Sequence, residues 1–161
     1  MESIITIATV LTMYFNAAND VNAPYLYNSD FEDGVIHKIE VYEKKADNQM
    51  CAKMEYRYAY DEQNRLTTRE VVRWDSQKQA WVNDVRHTYK YYKNGYNVEI
   101  SKWDVAKQAY DLPSEVTLYR EVASMTSVKT YKMNAAKNDM YLVNSLLCLE
   151  PFEIFSDRLF A

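Results

Sequence analysis

Two glycines, three prolines, two cysteines and two histidines are spread over a chain of 161 residues. Each shortage removes a class of function. Phosphate-cradling loops and dinucleotide-binding turns need several glycines at fixed spacing, and Gly34 and Gly95 stand far apart. His37 and His87 have no Ser, Cys or Asp set beside them in a triad pattern, so no nucleophile–base pair is visible. No His-rich or Asp-rich ligand spacing occurs, and neither a metal nor a cofactor is expected. Cys51 and Cys148, without a histidine cluster, make a poor zinc site. They read as a disulfide in an oxidising compartment or as buried free thiols. A basic excess is missing too. Against 23 acidic residues stand 19 Lys and Arg, a formal net charge of −4, which argues against nucleic acid as a partner.

Long apolar runs are equally scarce. Residues 4–15, IITIATVLTMYF, are too short to cross a bilayer but suit the core of a signal peptide. Val21-Asn22-Ala23 offers a small-residue cleavage site, and Asn16-Ala17-Ala18 a second. Against this stands Glu2 in a leading region that should be basic, and the competing reading is a buried first strand. On the leader reading, residues 1–23 are a signal peptide, residues 24–161 a single all-β domain, and the location is periplasmic or secreted. No later run is long enough for a transmembrane helix.

What the chain has is tyrosine, 15 of them, and a repeat. Aromatic residues fit the pleated surface of a sheet. Trp74 and Trp81 bracket the six residues DSQKQA. Trp103 and Tyr110 bracket DVAKQA, and Met133 and Met140 bracket NAAKND. A weaker copy lies between Tyr42 and Gln49. The bracketing residues are always seven apart, and successive copies follow at 29 to 32 residues, so this is a repeat architecture. Each bracket reads as a β-hairpin mouth: two large residues form a cross-strand pair, and an Asp or Asn starts the turn between them. Six residues exceed the commonest hairpin loops, so a wider turn or a flanking bulge is expected.

Strands are expected over residues 35–42, 50–60, 66–74, 81–92, 96–103, 110–120, 125–133 and 140–149. Residues 22–33 read as a leader segment with little regular structure. Lys93-Asn94-Gly95 is the strongest tight-turn signal, and Pro113 interrupts its strand. Short connections make the sheet an antiparallel meander, since parallel strands need longer crossovers. Carrying register outward from the brackets puts Leu66, Val72, Val85, Tyr89 and Tyr91 on their face. Arg69, Arg73, Asp84 and Arg86 fall on the other. Val98 and Ile100 break the pattern, and a bulge near that strand is expected. The fold class is therefore all-β: an up-and-down meander of about eight strands built from hairpin repeats, curled or barrel-like.

The Tyr-rich strands, the turn in YAYDEQNRLTTREV and the motif WDxxKQA[WY] resemble a family of small secreted proteins of Bacteroidetes, classed as a domain of unknown function. The resemblance covers most of the chain and implies an exported all-β protein without established catalytic residues. YDEQNRL is also similar to the tyrosine–aspartate repeats of large bacterial surface proteins, with Asn64 where that turn carries glycine.

Function is then read from surface chemistry. With no catalytic constellation, an enzyme is not expected. Trp74, Trp81, Trp103 and Tyr110 recur at one end of successive hairpins and are the candidate ligand-binding residues. Exposed, such a row would stack on a glycan or grip a peptide or cell-surface protein; buried, it closes the hairpin core. The leading reading is a binding or adhesion module. The alternatives are a barrel-like carrier of a small apolar ligand and, remotely, a hydrolase using a carboxylate pair.

Overall fold

The computed structural model describes residues 5–19, 24–45, 49–134, 136 and 138–149. In chain order the elements are α1 (Ile7–Ala18), β1 (Tyr25–Glu32), β2 (Val35–Lys44), β3 (Met50–Tyr60), β4 (Leu66–Asp75), β5 (Ala80–Tyr92), β6 (Gly95–Asp104), β7 (Ala109–Tyr110), β8 (Glu115–Val122), β9 (Met125–Asn134) and β10 (Asp139–Leu149). All pairings are antiparallel and follow chain order, except that β7 lies off the path and β8 takes its place beside β6. The meander is the expected one, but it does not close. Among the described residues β1 and β10 are the edge strands, and the helix, rather than closure, covers part of the apolar face.

Two elements depart from expectation. Residues 25–32 form β1 instead of an irregular leader: Tyr25, Tyr27 and Ser29 alternate with exposed neighbours, a strand period that Pro24 obscured. The strand expected over 110–120 divides into β7 and β8 at Pro113, which cannot donate to a ladder.

The apolar run at the start is a helix. Thr6 caps it, its N–H donating to Thr9 Oγ1 at 3.3 Å. Val10, Tyr14 and Ala17 recur at helical spacing on the side that meets the sheet. Val10 is 3 % exposed and packs with Ile36, Ile39 and Leu66. The segment before the helix is stitched to the turn after β3: Leu66 N–H donates to the Ile5 carbonyl at 2.8 Å, and Ile7 N–H to that of Asn64 at 3.2 Å. The proposed cleavage residues Val21-Asn22-Ala23 lie outside the described residues.

The repeat shows in the turns. Asp75 pairs with Ala80, so only residues 76–79 form the loop. The Asp75 carboxylate accepts from the N–H groups of Gln77 and Lys78. Gln79 takes a left-handed φ of 51°, and its side chain donates to the Ser76 carbonyl. Asp104, Ala106, Lys107 and Gln108 reproduce every part, with φ 52° at Gln108. In the last copy Asn134 accepts from Ala136 N–H and Asn138 has φ 49°.

A bulge follows the bracket. Asp84, three residues beyond Trp81, has no partner in β4, and Val143, three beyond Met140, has none in β9. Lys53 is the extra residue in β3. Two of these are held by ion pairs to the adjacent strand, Asp84 by Arg73 and Lys53 by Glu43. One extra residue sends every later side chain to the opposite face. Val85, Tyr89 and Tyr91 therefore lie on the face covered by α1, together with Leu66, while Trp74, Trp81, Val72 and Arg86 lie on the outer face. The pairing of β5 with β6 is regular throughout, so Val98 and Ile100 share the helix-covered face with Tyr89 and His87. The irregularity expected near them is one strand earlier, at Asp84.

Candidate functional site

The outer face at the bracket end carries all three tryptophans of the chain. Trp74 and Trp81 face each other across the hairpin, ring centroids 5.2 Å apart and edge to face. Trp103 and Tyr110 repeat the arrangement at 5.0 Å. All four are half-buried, neither core nor free-standing. Their edges satisfy one another, as aromatic quadrupoles prefer, and part of each ring remains in solvent. Both pairs stand at the same end of the sheet because β4 and β6 run in the same direction.

Charged side chains border the rings. The Arg86 guanidinium lies 3.8 Å from the centre of the Tyr110 ring and donates through Nε to Glu70 at 3.0 Å. Tyr110 Oη is buried without a hydrogen-bond partner, and burial, followed by the nearby Glu70 charge, raises the phenol above its ordinary pKa. Glu55, on the same face, is 3 % exposed and is neutralised by Arg57 Nε at 2.6 Å. The Glu70 and Glu55 carboxylates are thus bound to arginines, and a bound carboxylate is a poor general base. Among the described residues no group of His, Cys, Asp and Glu could hold a metal ion.

The remaining sequence candidates are scattered. His37 is exposed on β2. His87 sits on the helix-covered face opposite Arg69, as a sheet histidine whose Nδ1 is buried without a partner. Burial, then the Arg69 charge, lowers its pKa and keeps the imidazole neutral. Cys51 and Cys148 are both free thiols, in β3 and β10, and Cys148 is exposed rather than buried.

Sequence reasoning missed Arg86 and Arg69 as site residues. The signal for Arg86 was present: it belongs to the bracket face once Asp84 is recognised as a bulge. That needed the register of the neighbouring strand.

An open, all-β antiparallel meander with one short helix against its sheet defines the class of protein. Residues 1–121 match the Family of unknown function (DUF3836), and the chain belongs to that family. The resemblance read from the hairpin motifs is thereby borne out at the level of family. The fold is similar to that of a protein of unknown function from Bacteroides fragilis NCTC 9343, at 25 % identity and a TM-score of 0.69, covering 81 % of this chain and 94 % of that one. It is also similar to a DUF3836 family protein from Parabacteroides distasonis ATCC 8503, at 24 % identity and a TM-score of 0.51, covering 55 % of this chain and 82 % of that one. Among curated proteins no match is found.

Proposed function

We propose that this protein is a non-catalytic binding module that stacks sugar rings of a glycan on its outer aromatic rim. The observation that carries the reading is the pairing of Trp74 with Trp81 and of Trp103 with Tyr110 on one face and at one end, each residue partly exposed to solvent. Packing alone requires apolar residues at those positions, and the last repeat meets that need with Met133 opposite Met140. Aromatic rings add flat, rigid area that the CH face of a sugar can cover. Arg86, Glu70 and Asn83 border them with donors and acceptors for hydroxyl groups.

The chain carries its own reporter, because its tryptophans are Trp74, Trp81 and Trp103 alone. Tryptophan emission is to be followed while soluble polysaccharides of plant, mucin and microbial origin are added in turn, with acrylamide quenching in parallel. A saturable change with at least one polysaccharide, accompanied by protection from quenching, is the expected result. No change with any of them, or a response only to peptides, would refute the glycan reading.

A further inference from the structure

The other face holds a site of different chemistry. Between α1 and the sheet lies a cavity of about 250 Å³. Val10 and Tyr14 line it from the helix, and Tyr58, Leu66, Tyr89 and Arg69 from the sheet. An apolar cavity of roughly 150 Å³ already holds a benzene-sized guest. This one has more room, and a single cation.

Arg69 differs from the other described arginines. Arg57, Arg65, Arg73 and Arg86 each pair with a carboxylate, and Arg120 donates to Asn97 and to the Tyr96 carbonyl. Among the described residues Arg69 has no carboxylate, amide or carbonyl partner for its side chain. It rests only against the Tyr56 ring at 5.5 Å, and its Nε is buried and unpaired. The residue opposite in register, His87, gives no compensation, since its own buried Nδ1 is unpaired. Arg69 itself is half-buried, and a buried N–H donor left without an acceptor, such as its Nε, costs free energy. An anionic group brought in by a ligand removes that cost, and a guanidinium suits a carboxylate through paired N–H donors.

We propose that the cavity between α1 and the sheet binds a small apolar molecule bearing one carboxylate, with Arg69 holding the carboxylate and the tyrosines and Val10 enclosing the hydrocarbon. The roof comes from the run read as a leader, whereas Arg69, Tyr58, Leu66 and Tyr89 belong to the sheet, so the anchor is independent of the roof. Burial raises the pKa of Tyr58 and Tyr89, which keeps both phenols neutral, so Arg69 is the one charge among the described lining residues.

The test uses the full chain and two probes of equal length, octanoate and 1-octanol, titrated calorimetrically at neutral pH. Octanoate is expected to bind saturably at one site. Arg69→Met should weaken octanoate at least about tenfold and change 1-octanol less than about twofold. Arg69→Lys, which keeps the charge, should recover most of the octanoate affinity, and thermal melts confirm that each variant is folded. Absence of saturable octanoate binding to the wild-type chain would overturn the proposal. So would equal octanoate affinity in wild type and Arg69→Met, or several weak sites unaffected by either substitution, as the exposed apolar side chains of β10 would give.

Discussion

At the scale of single residues, backbone freedom and ring pairing make the sharpest demands. Gly95 has φ 141°, and a Cβ there would stand 2.0 Å from the Tyr119 carbonyl oxygen on β8. That oxygen belongs to a strand and cannot move without opening the β6–β8 ladder. Gly34 has φ 81° with nothing near its missing Cβ. Gly34→Ala should therefore cost about 1 kcal/mol, the ordinary penalty of a left-handed alanine. Gly95→Ala should cost about 3 kcal/mol or more, because strain and a backbone clash act together. Urea unfolding of both variants checks the difference. The Asn-Gly signal in the sequence located this turn correctly, but the positive φ falls on Gly95 alone and not on Asn94. For the rim, a double-mutant cycle on Trp74→Ala and Trp81→Ala should give a coupling of about 1 kcal/mol, typical of an edge-to-face pair. A coupling indistinguishable from zero would mean that the two rings do not meet in solution.

The next scale is that of the hairpin. Its turn depends on an Asp or Asn that accepts two backbone N–H groups and on a left-handed residue four positions later. Asp75→Ala should destabilise by about 1 kcal/mol, the usual worth of a net hydrogen bond, here from a side chain that accepts turn N–H groups. Gln79→Gly should stabilise by about 0.5–1 kcal/mol, since glycine accepts the left-handed φ without strain. Both are read from thermal melts, and the opposite signs are the informative result. These turns were legible in the sequence because Asp, Lys, Gln and the brackets recur with unchanged spacing. The Trp74–Trp81, Trp103–Tyr110 and Met133–Met140 pairings were legible for the same reason. The bulges were not. Asp84 looks like any polar strand residue, and only its lack of a partner in β4 reveals that Val85, Tyr89 and Tyr91 have changed face. The first helix was also hidden. The run of residues 4–15 contains several β-branched residues, which favour strands, and only packing against Ile36, Ile39 and Leu66 makes the helical spacing of Val10 and Tyr14 decisive.

For the molecule as a whole, the titratable groups are distributed unevenly over the described strands and turns, and stability should follow pH accordingly. The carboxyls of Asp61, Asp75 and Asp104 are held below their ordinary pKa. For Asp61 and Asp104 the first cause is a hydrogen bond from Arg65 and Lys107 respectively, and for Asp75 it is the Lys78 backbone N–H. A depressed folded-state pKa adds stability above the unfolded value, near 4, and that stability is lost as pH falls below it. At the other end, burial pushes Tyr60 and Tyr96 up to about 12. The unfolded phenols titrate near 10, so the folded state holds the extra protons, and stability should fall as pH rises from about 10 to 12. Denaturant midpoints measured from pH 3 to 11.5 should form a plateau with a decline at each end. A midpoint that rose above pH 10 would contradict the burial of the tyrosines.

The outer aromatic rim is the functional claim on which the account turns, and one comparison reaches it most directly. Wild type and Trp81→Ala are to be compared in both melting temperature and affinity for a polysaccharide that perturbs the tryptophan emission of the wild type. Trp81 is half-buried, so its loss should cost about 1–2 kcal/mol and lower the melting temperature by several degrees while leaving the fold intact. The account predicts that affinity for the polysaccharide falls at least about tenfold in the folded variant. Unchanged affinity, or a collapse of the fold as large as the loss of a core aromatic would bring, would show that these rings serve the sheet alone.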